Sequence, residues 1–130
     1  MEHHHTLVWL DRQDARIFHL GGEHGGDVVA ERLHAPRSTS SPPTALNTAQ
    51  HLRPAETRHF HAAVTEAIAT GAPVLIVGPA KAKLELIRYL HRRAPLTEAK
   101  VVGVETLGAA SDQELIAYAR DYFVALDQAG

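Results

Sequence analysis

Three short apolar runs, separated by polar or glycine-rich turns, occupy the first part of the chain. They cover residues 6–10, 15–20 and 28–33. Apolar runs of this length that are bounded by turn residues are typical of β-strands. The polar residues 11–14 between the first two runs are few enough for a hairpin turn. The pattern therefore predicts an antiparallel meander of three strands.

Helical and strand-like patterns alternate in the second half. Apolar residues recur at helical spacing in three segments, and nearly continuous apolar runs separate them. The predicted order is a helix from Pro54 to about 71, a strand at 73–77, a helix at about 80–92, a strand at 100–104 and a helix at about 111–127. Both strands are predicted to be buried, as parallel strands covered on two faces are.

Two local signals refine the helices. Ser111 and Glu114 have capping-box spacing, in which a hydroxyl and a carboxylate accept hydrogen bonds from otherwise unpaired N–H groups, so they predict the start of the last helix. In the helix at about 80–92, the spacing of Leu84, Ile87 and Leu90 predicts that these three face the core.

The predicted order β-β-β-loop-α-β-α-β-α indicates the α/β class. A meander followed by alternating helices and strands builds a mixed sheet of about five strands with helices on both faces. The 130 residues fit one domain, and we expect a single domain over residues 1–130.

The longest irregular segment lies between the third strand and the first helix, at residues 34–53. It carries Pro36, Pro42 and Pro43 and shows neither helical nor strand periodicity. Compact domains rarely contain a twenty-residue irregular loop, and those that do use it for function or leave it disordered. The loop is therefore a candidate contact element.

Composition excludes several classes of protein. The chain has no cysteine, which excludes disulfides and cysteine-based chemistry. A net charge of −2 argues against a dedicated binder of double-stranded DNA. No segment has the length of a membrane span or the pattern of a signal peptide, so a soluble, cytoplasmic protein without a membrane partner is expected. No cofactor is expected either.

Three segments carry a family resemblance. The hairpin VWLDRQDARIFHL, the segment VLIVGPAKAKLELIRYL and the segment KVVGVETL occur in an order that resembles the middle domain of the archaeal-eukaryotic class I peptide-chain release factors. The order also resembles that domain of Pelota, the ribosome-rescue relative, and a small bacterial family of translational machinery proteins. The resemblance implies a ribonuclease-H-like sheet and a role in translation.

The same resemblance draws attention to a catalytic tripeptide that this sequence lacks. Release factors carry a Gly-Gly-Gln tripeptide in the loop before the first helix, where it promotes ester hydrolysis. The corresponding loop here has one glutamine, Gln50, preceded by Thr48 and Ala49. Thr and Ala do not readily take the backbone conformations that glycine allows. Peptidyl-tRNA hydrolysis is therefore not expected. Pelota also lacks the tripeptide, so we predict a non-catalytic module that contacts the ribosome or tRNA.

Seven basic residues are candidates for RNA or anion binding. Clustered cations are what a contact with a nucleic-acid backbone requires. Four lie in or before the helix at about 80–92, and three lie in or near the loop; they are Lys81, Lys83, Arg88, Arg92, Arg37, Arg53 and Arg58. The alternative for the helix is a solvated charged face, and for the loop it is a disordered surface segment.

Two other functions remain open. The turn from Gly78 to Lys83 follows a buried strand, where open α/β sheets bind ligands, so a sensor of small molecules or nucleotides is an alternative. The turn lacks the glycines of a phosphate-binding loop. A homo-oligomeric interaction module is the other alternative, because a short chain can bury a sheet edge or helix face against a copy of itself.

Metal and nuclease chemistry are weakly supported. His51, His59 and His61 are the histidines near the end of the loop, but His59 and His61 are two residues apart and diverge by about 200° on a helix.

Asp11 ends the first strand, whereas the fourth strand ends in Gly78 rather than in an acidic residue, so the carboxylate set of a two-metal nuclease is not evident. Asp11 is more simply explained as a turn former.

Overall fold

Five strands and four helices follow one another in the computed structural model, which describes residues 3–21, 27–35 and 54–129. The elements are β1 (His3–Leu10), β2 (Asp14–Gly21), β3 (Val28–His34), α1 (Pro54–Ile68), β4 (Val74–Gly78), α2 (Ala82–Arg93), α3 (Pro95–Glu98), β5 (Val101–Thr106) and α4 (Asp112–Ala129).

The strands form one open, mixed sheet in the order β3-β2-β1-β4-β5. Strands β1, β2 and β3 pair antiparallel, as in the predicted meander. Strands β1, β4 and β5 pair parallel, with Thr6 opposite Val74 and Trp9 opposite Val77. The α/β class and the ribonuclease-H-like mixed sheet predicted from the sequence are therefore confirmed.

Helices cover both faces because side chains alternate along each strand. On β1, Val8 and Leu10 face α1 and α2, whereas Leu7 and Trp9 face α4. The first face packs against Phe60, Val64, Ile68, Leu86 and Leu90. The second packs against Leu115, Ala119 and Phe123. The core thus consists of two apolar layers, one on each side of the sheet.

The two parallel strands after the meander differ in burial. All five residues of β4 are buried, as predicted, because it lies between two strands and under helices on both faces. Strand β5 was predicted to be buried as well, and this was wrong, because none of its residues is buried. It lies at the edge of the sheet, where a strand has only one neighbour.

The buried face of α2 differs from the prediction. The helix begins at Ala82, and its buried residues are Ala82, Lys83, Leu86 and Leu90. Leu84 was predicted to face the core, but it is 46% exposed. Leu86 lies four residues before Leu90, about 40° away around the helix, whereas Leu84 lies six residues before it, about 120° away, so the predicted stripe was placed on the wrong side at its start. The short helix α3 was not predicted.

The start of the predicted irregular loop requires one correction. His34 was counted with the loop, but it is the last residue of β3 and pairs with Asp14 on β2. Ala35, which was also counted with the loop, is buried, and the remaining residues 36–53 lie outside the described residues. Across the part of the chain that the structure describes, no helix is both long and apolar enough to span a membrane.

Candidate ligand and nucleic-acid interface

The carboxyl ends of β1 and β4 lie side by side at one edge of the sheet, which we call the carboxyl edge. The two chain segments diverge there. After β1, residues 11–13 lead to β2 on one side, and after β4, residues 79–81 lead through α2 to β5 on the other. Open α/β sheets bind ligands in the crevice at such a switch point.

The turn after β1 is held by Asp11. Its Oδ1 accepts hydrogen bonds from the backbone N–H groups of Gln13 and Asp14, both at 2.8 Å. Aspartate often stabilises turns in this way. Asp11 is therefore a turn former, as predicted, and the turn places the exposed Arg12 at the carboxyl edge.

The turn after β4 has an unusual backbone. Gly78 has a φ of +154°, and a Cβ there would come within 2.1 Å of the Leu10 carbonyl oxygen. Ala80 has a φ of +52°, which is uncommon for a residue with a side chain. The turn thus passes close to the backbone of β1, which only glycine permits at position 78.

The two lysines predicted to bind anions at this turn have different environments. Lys81 is exposed and immediately precedes α2. Lys83 is only 5% exposed, and its Nζ donates a hydrogen bond to the Ala80 carbonyl at 2.5 Å. The Lys83 ammonium therefore stabilises the turn from within, whereas Lys81 is available to a ligand.

A pocket of about 500 Å³ lies between the two turns. Residues 11–13 form one wall and residues 79–82 form the other. Arg12 and Lys81 bring positive charge from opposite walls, while Pro79, Ala80 and Ala82 provide an apolar surface. The pocket therefore combines charge and apolar surface at the switch point of the sheet.

A second candidate surface runs along the outside of α2. Lys81, Arg88 and Arg92 are all exposed, and their spacings of seven and four residues place them on one face of the helix, which we call the basic face. A shallow pocket of about 270 Å³ beside it is lined by Ile87, Arg88, His91, Arg92 and Glu98. His91 Nδ1 lies 3.1 Å from the Glu98 carboxylate.

Helix α1 lies beside α2, and His61 marks their contact. The His61 residue is 6% exposed, and its ring centre lies 5.7 Å from that of Tyr89 on α2. Burial lowers the pKa of His61, the nearby Arg92 lowers it further, and Glu85 opposes both. Arg58 is exposed and precedes His61 by three residues, so it lies on the α1 side that borders α2.

The candidate histidines are not brought together. His59 is exposed and His61 is buried, in keeping with their predicted divergence, while His51 lies outside the described residues. Among the residues that the structure describes, no group of three or more His, Asp or Glu side chains could hold a metal ion. Arg37 and Arg53, the other loop candidates, also lie outside these residues.

Both flanks of residues 36–53 lead to the carboxyl edge. On one side, the Ala35 N–H donates to the Gln13 carbonyl at 2.7 Å. On the other, α1 ends near the opposite edge, where the Pro73 carbonyl accepts a hydrogen bond from the Thr6 N–H. The fifteen residues of α1 extend about 22 Å, so its start lies towards the carboxyl edge. Ala35 and the start of α1, which are the described residues on either side of 36–53, therefore both lie towards the carboxyl edge.

Sequence reasoning missed Arg12 as a site residue. Arg12 and Lys81 are far apart in the sequence, and the parallel pairing of β1 with β4 brings their turns together. The available signal was the position of Arg12 immediately after a strand end.

Nothing in the sequence indicated that Asp112 binds both Arg16, at 2.9 Å, and Arg32, at 2.6 Å. This cluster attaches the start of α4 to the sheet.

Solved structures with this fold include those of archaeal Pelota. Archaeoglobus fulgidus Pelota superimposes with a TM-score of 0.52 and 13% identity, over 93% of this chain and 32% of that chain. Thermoplasma acidophilum Pelota gives 0.53 and 17%, over 86% and 30%. The chain has a Pelota-like fold. The resemblance predicted from the sequence is thereby confirmed for the fold, and the chain spans about a third of each Pelota chain. No protein-family model and no curated protein matches it.

Proposed function

We propose that this chain is a non-catalytic, translation-associated binding module that contacts ribosomal or transfer RNA. The observation that carries the proposal is the basic face of α2, formed by Lys81, Arg88 and Arg92, on a Pelota-like domain. In the part of the chain that the structure describes, none of these three side chains forms an ion pair. Their side chains are therefore not engaged in salt bridges, and the acidic Glu85 lies among them on the same face of the helix.

The geometry of the basic face suits a nucleic-acid backbone. From Lys81 to Arg92 the helix rises about 16 Å, so the three cations form a line rather than a point. Arg58 on α1 extends this surface sideways, because α1 and α2 meet at His61 and Tyr89. Cations arranged in this way bind phosphates without reading sequence, and such binding weakens steeply with salt.

The ribosome is the proposed partner because the resemblance is to a ribosome-rescue family. Arg37 and Arg53 belong to the same proposal as loop residues that would add positive charge. Lys83 contributes indirectly, because its ammonium is bound to the Ala80 carbonyl and stabilises the turn that presents Lys81. The proposed RNA contacts are therefore Lys81, Arg88, Arg92 and Arg58, together with the two loop arginines.

Cosedimentation with ribosomes over a series of salt concentrations tests the proposal. The unmodified chain should pellet at low salt. The slope of log affinity against log salt should become shallower by about 0.7 for each phosphate that Arg88→Gln or Arg92→Gln no longer neutralises. Gln113→Glu is the matched control, because it also lowers the net charge by one but lies on α4, across the sheet. Absence of pelleting at low salt, or equal binding by all three variants, contradicts the proposal.

The non-catalytic part of the proposal has its own test. Ribosomes carrying a labelled peptidyl-tRNA should show no release of peptide above the uncatalysed rate when the chain is added. Release that scales with the amount of chain added would overturn this part while leaving the binding result unaffected.

A further inference from the structure

We propose that the pocket at the carboxyl edge binds an organic phosphate monoester with an apolar or aromatic body, such as a nucleoside monophosphate. The pocket lies between residues 11–13 and 79–82, and Arg88 and Arg92 are not among its lining residues. The proposal therefore goes beyond the RNA contact through the basic face of α2. Lys81 belongs to both surfaces, whereas Arg12 belongs to the pocket alone.

The balance of charge in the pocket favours an anion. Arg12 and Lys81 are exposed on opposite walls, so two cations can converge on one group. Among the described residues that line the pocket, Asp11 alone is acidic, and two backbone N–H groups already bind its Oδ1. Two cations against one engaged carboxylate favour a ligand with negative charge, and phosphate accepts charge-assisted hydrogen bonds well.

The remaining surface of the pocket favours an apolar body attached to the phosphate. On the wall after β4, Lys81 is accompanied by Pro79, Ala80 and Ala82, whose side chains are apolar. Small-molecule sites are mostly apolar, with a few polar groups that orient the ligand, and they enclose about 300–1,000 Å³. At about 500 Å³ the pocket falls within this range, so it has room for more than an inorganic ion.

The walls of the pocket are held in place before any ligand arrives. The Asp11 carboxylate binds its own turn, and the buried Lys83 ammonium binds the Ala80 carbonyl. Gly78 packs against the Leu10 carbonyl, which fixes the two turns relative to each other. Such preorganisation lowers the entropic cost of binding.

Calorimetric titration of the full chain with adenosine monophosphate, adenosine and inorganic phosphate tests the proposal. The monophosphate should bind. The other two probes should bind at least about tenfold more weakly, because adenosine lacks the phosphate and inorganic phosphate lacks the apolar body. Arg12→Gln should weaken binding of the monophosphate about tenfold. Lys100→Gln is the matched control, since it removes the same charge from an exposed residue at the opposite edge of the sheet, and it should bind normally.

Two sources of the phosphate are distinguished by a second pair of probes. An oligoadenylate with a 5′-phosphate and the same oligoadenylate without it are titrated in parallel. Arg12-dependent binding of the phosphorylated oligomer alone identifies an RNA end as the source, whereas binding of the free monophosphate identifies a small ligand. Both results support the pocket.

The proposal is overturned by no saturable binding of any phosphorylated probe at about 1 mM, or by equal weakening in Arg12→Gln and Lys100→Gln. These titrations contain no ribosomes, and the pelleting assay uses Arg88 and Arg92 variants. Failure of one proposal is therefore distinguishable from failure of the other.

Discussion

Gly78 lies directly against the backbone of Leu10, so that a Cβ on Gly78 would come within 2.1 Å of the Leu10 carbonyl oxygen. This contact joins β4 to β1 at the carboxyl edge, where both strands end and the pocket begins. Because the Leu10 oxygen belongs to a buried strand, it cannot move away as a flexible side chain would.

Replacement of Gly78 should therefore be costly. We expect Gly78→Ala to lower the free energy of unfolding by about 3 kcal/mol or more, because the new methyl group overlaps the backbone and alanine is strained at a φ of +154°. Urea denaturation measures the change.

Two other glycines serve as controls for this substitution. Gly71 has a φ of +88°, but among the described residues no neighbouring atom lies within 4 Å of the position that an alanine Cβ would take, so Gly71→Ala should cost about 1 kcal/mol through its backbone alone. Gly108 has open space and no positive φ, so Gly108→Ala should change stability by less than about 0.5 kcal/mol. Equal stability of the Gly78 and Gly108 variants would contradict the close approach.

Gly103 on β5 makes room for Tyr122 on α4. A Cβ on Gly103 would lie 2.1 Å from the Tyr122 hydroxyl oxygen and 3.0 Å from its Cζ. We expect Gly103→Ala to cost about 1–3 kcal/mol, as overpacking does. Adding Tyr122→Phe removes the closest atom and should recover part of the loss, so a double-mutant cycle in urea measures the coupling. Strictly additive effects would show that the two residues do not touch.

His61 should make stability depend on pH. Burial lowers the pKa of its imidazole below the ordinary value of 6.5, so the unfolded chain binds the proton more readily than the folded one. The free energy of unfolding should therefore decrease as the pH falls through 6.5 towards the lower pKa of the folded state. Glu85 and Arg92 act on the same ring in opposite directions.

Substitution of His61 isolates this contribution. His61→Leu should remove this pH-dependent contribution. As the pH falls, the unmodified chain should therefore lose more stability than the variant does. His59→Gln is the matched control, since His59 is exposed on the same helix. Thermal unfolding between about pH 5 and pH 8 measures the effect. A pH-independent difference for His61→Leu would exclude a contribution from its titration.

The capping box of α4 should also respond to pH. The Ser111 N–H donates to Glu114 Oε1 at 2.8 Å, and the Glu114 N–H donates to Ser111 Oγ at 3.1 Å. The backbone hydrogen bond from Ser111, helped by its side chain, lowers the pKa of Glu114 below 4.5. The stabilisation is therefore present above pH 4.5 and is lost as the pH falls through the lower pKa of the folded state.

Two substitutions separate the parts of the capping box. Ser111→Ala should cost about 1 kcal/mol at neutral pH. Glu114→Gln should destabilise the chain at neutral pH and have a smaller effect at about pH 3, where the carboxyl of the unfolded chain is already protonated. Glu66→Gln, at an exposed position of α1, is the control. Urea denaturation at both pH values measures the difference, and an equal loss at both would contradict the charge-dependent part.

Local patterns predicted much of the fold. The apolar residues of β4 match a strand covered on both faces, and the spacing of Ser111 and Glu114 alone indicates the start of α4. These signals depend on neighbours in the sequence, so they can be read without the fold. The order of the elements then predicted the mixed sheet and its resemblance to Pelota.

The register of α2 could not be predicted in the same way. The stripe with the best helical spacing runs through Leu86 and Leu90, but it also includes Lys83, and a lysine is ordinarily expected in solvent. The structure buries both Lys83 and Leu86. The helix begins at Ala82, just after the positive φ of Ala80, and the Ala80 carbonyl accepts a hydrogen bond from the Lys83 ammonium. A charge that is satisfied by the backbone of a nearby turn leaves no periodic signal.

By itself, the sequence determined the α/β class, the order of strands and helices, the absence of a Gly-Gly-Gln tripeptide from the segment before α1, and the line of cations along α2. Tertiary structure alone decided the pocket. Arg12 and Lys81 lie 69 positions apart, and they line the same pocket only because β1 and β4 pair in parallel and end at the same edge of the sheet. The physical reason is that periodicity records which face of an element is buried, whereas strand pairing between distant segments determines which turns become neighbours.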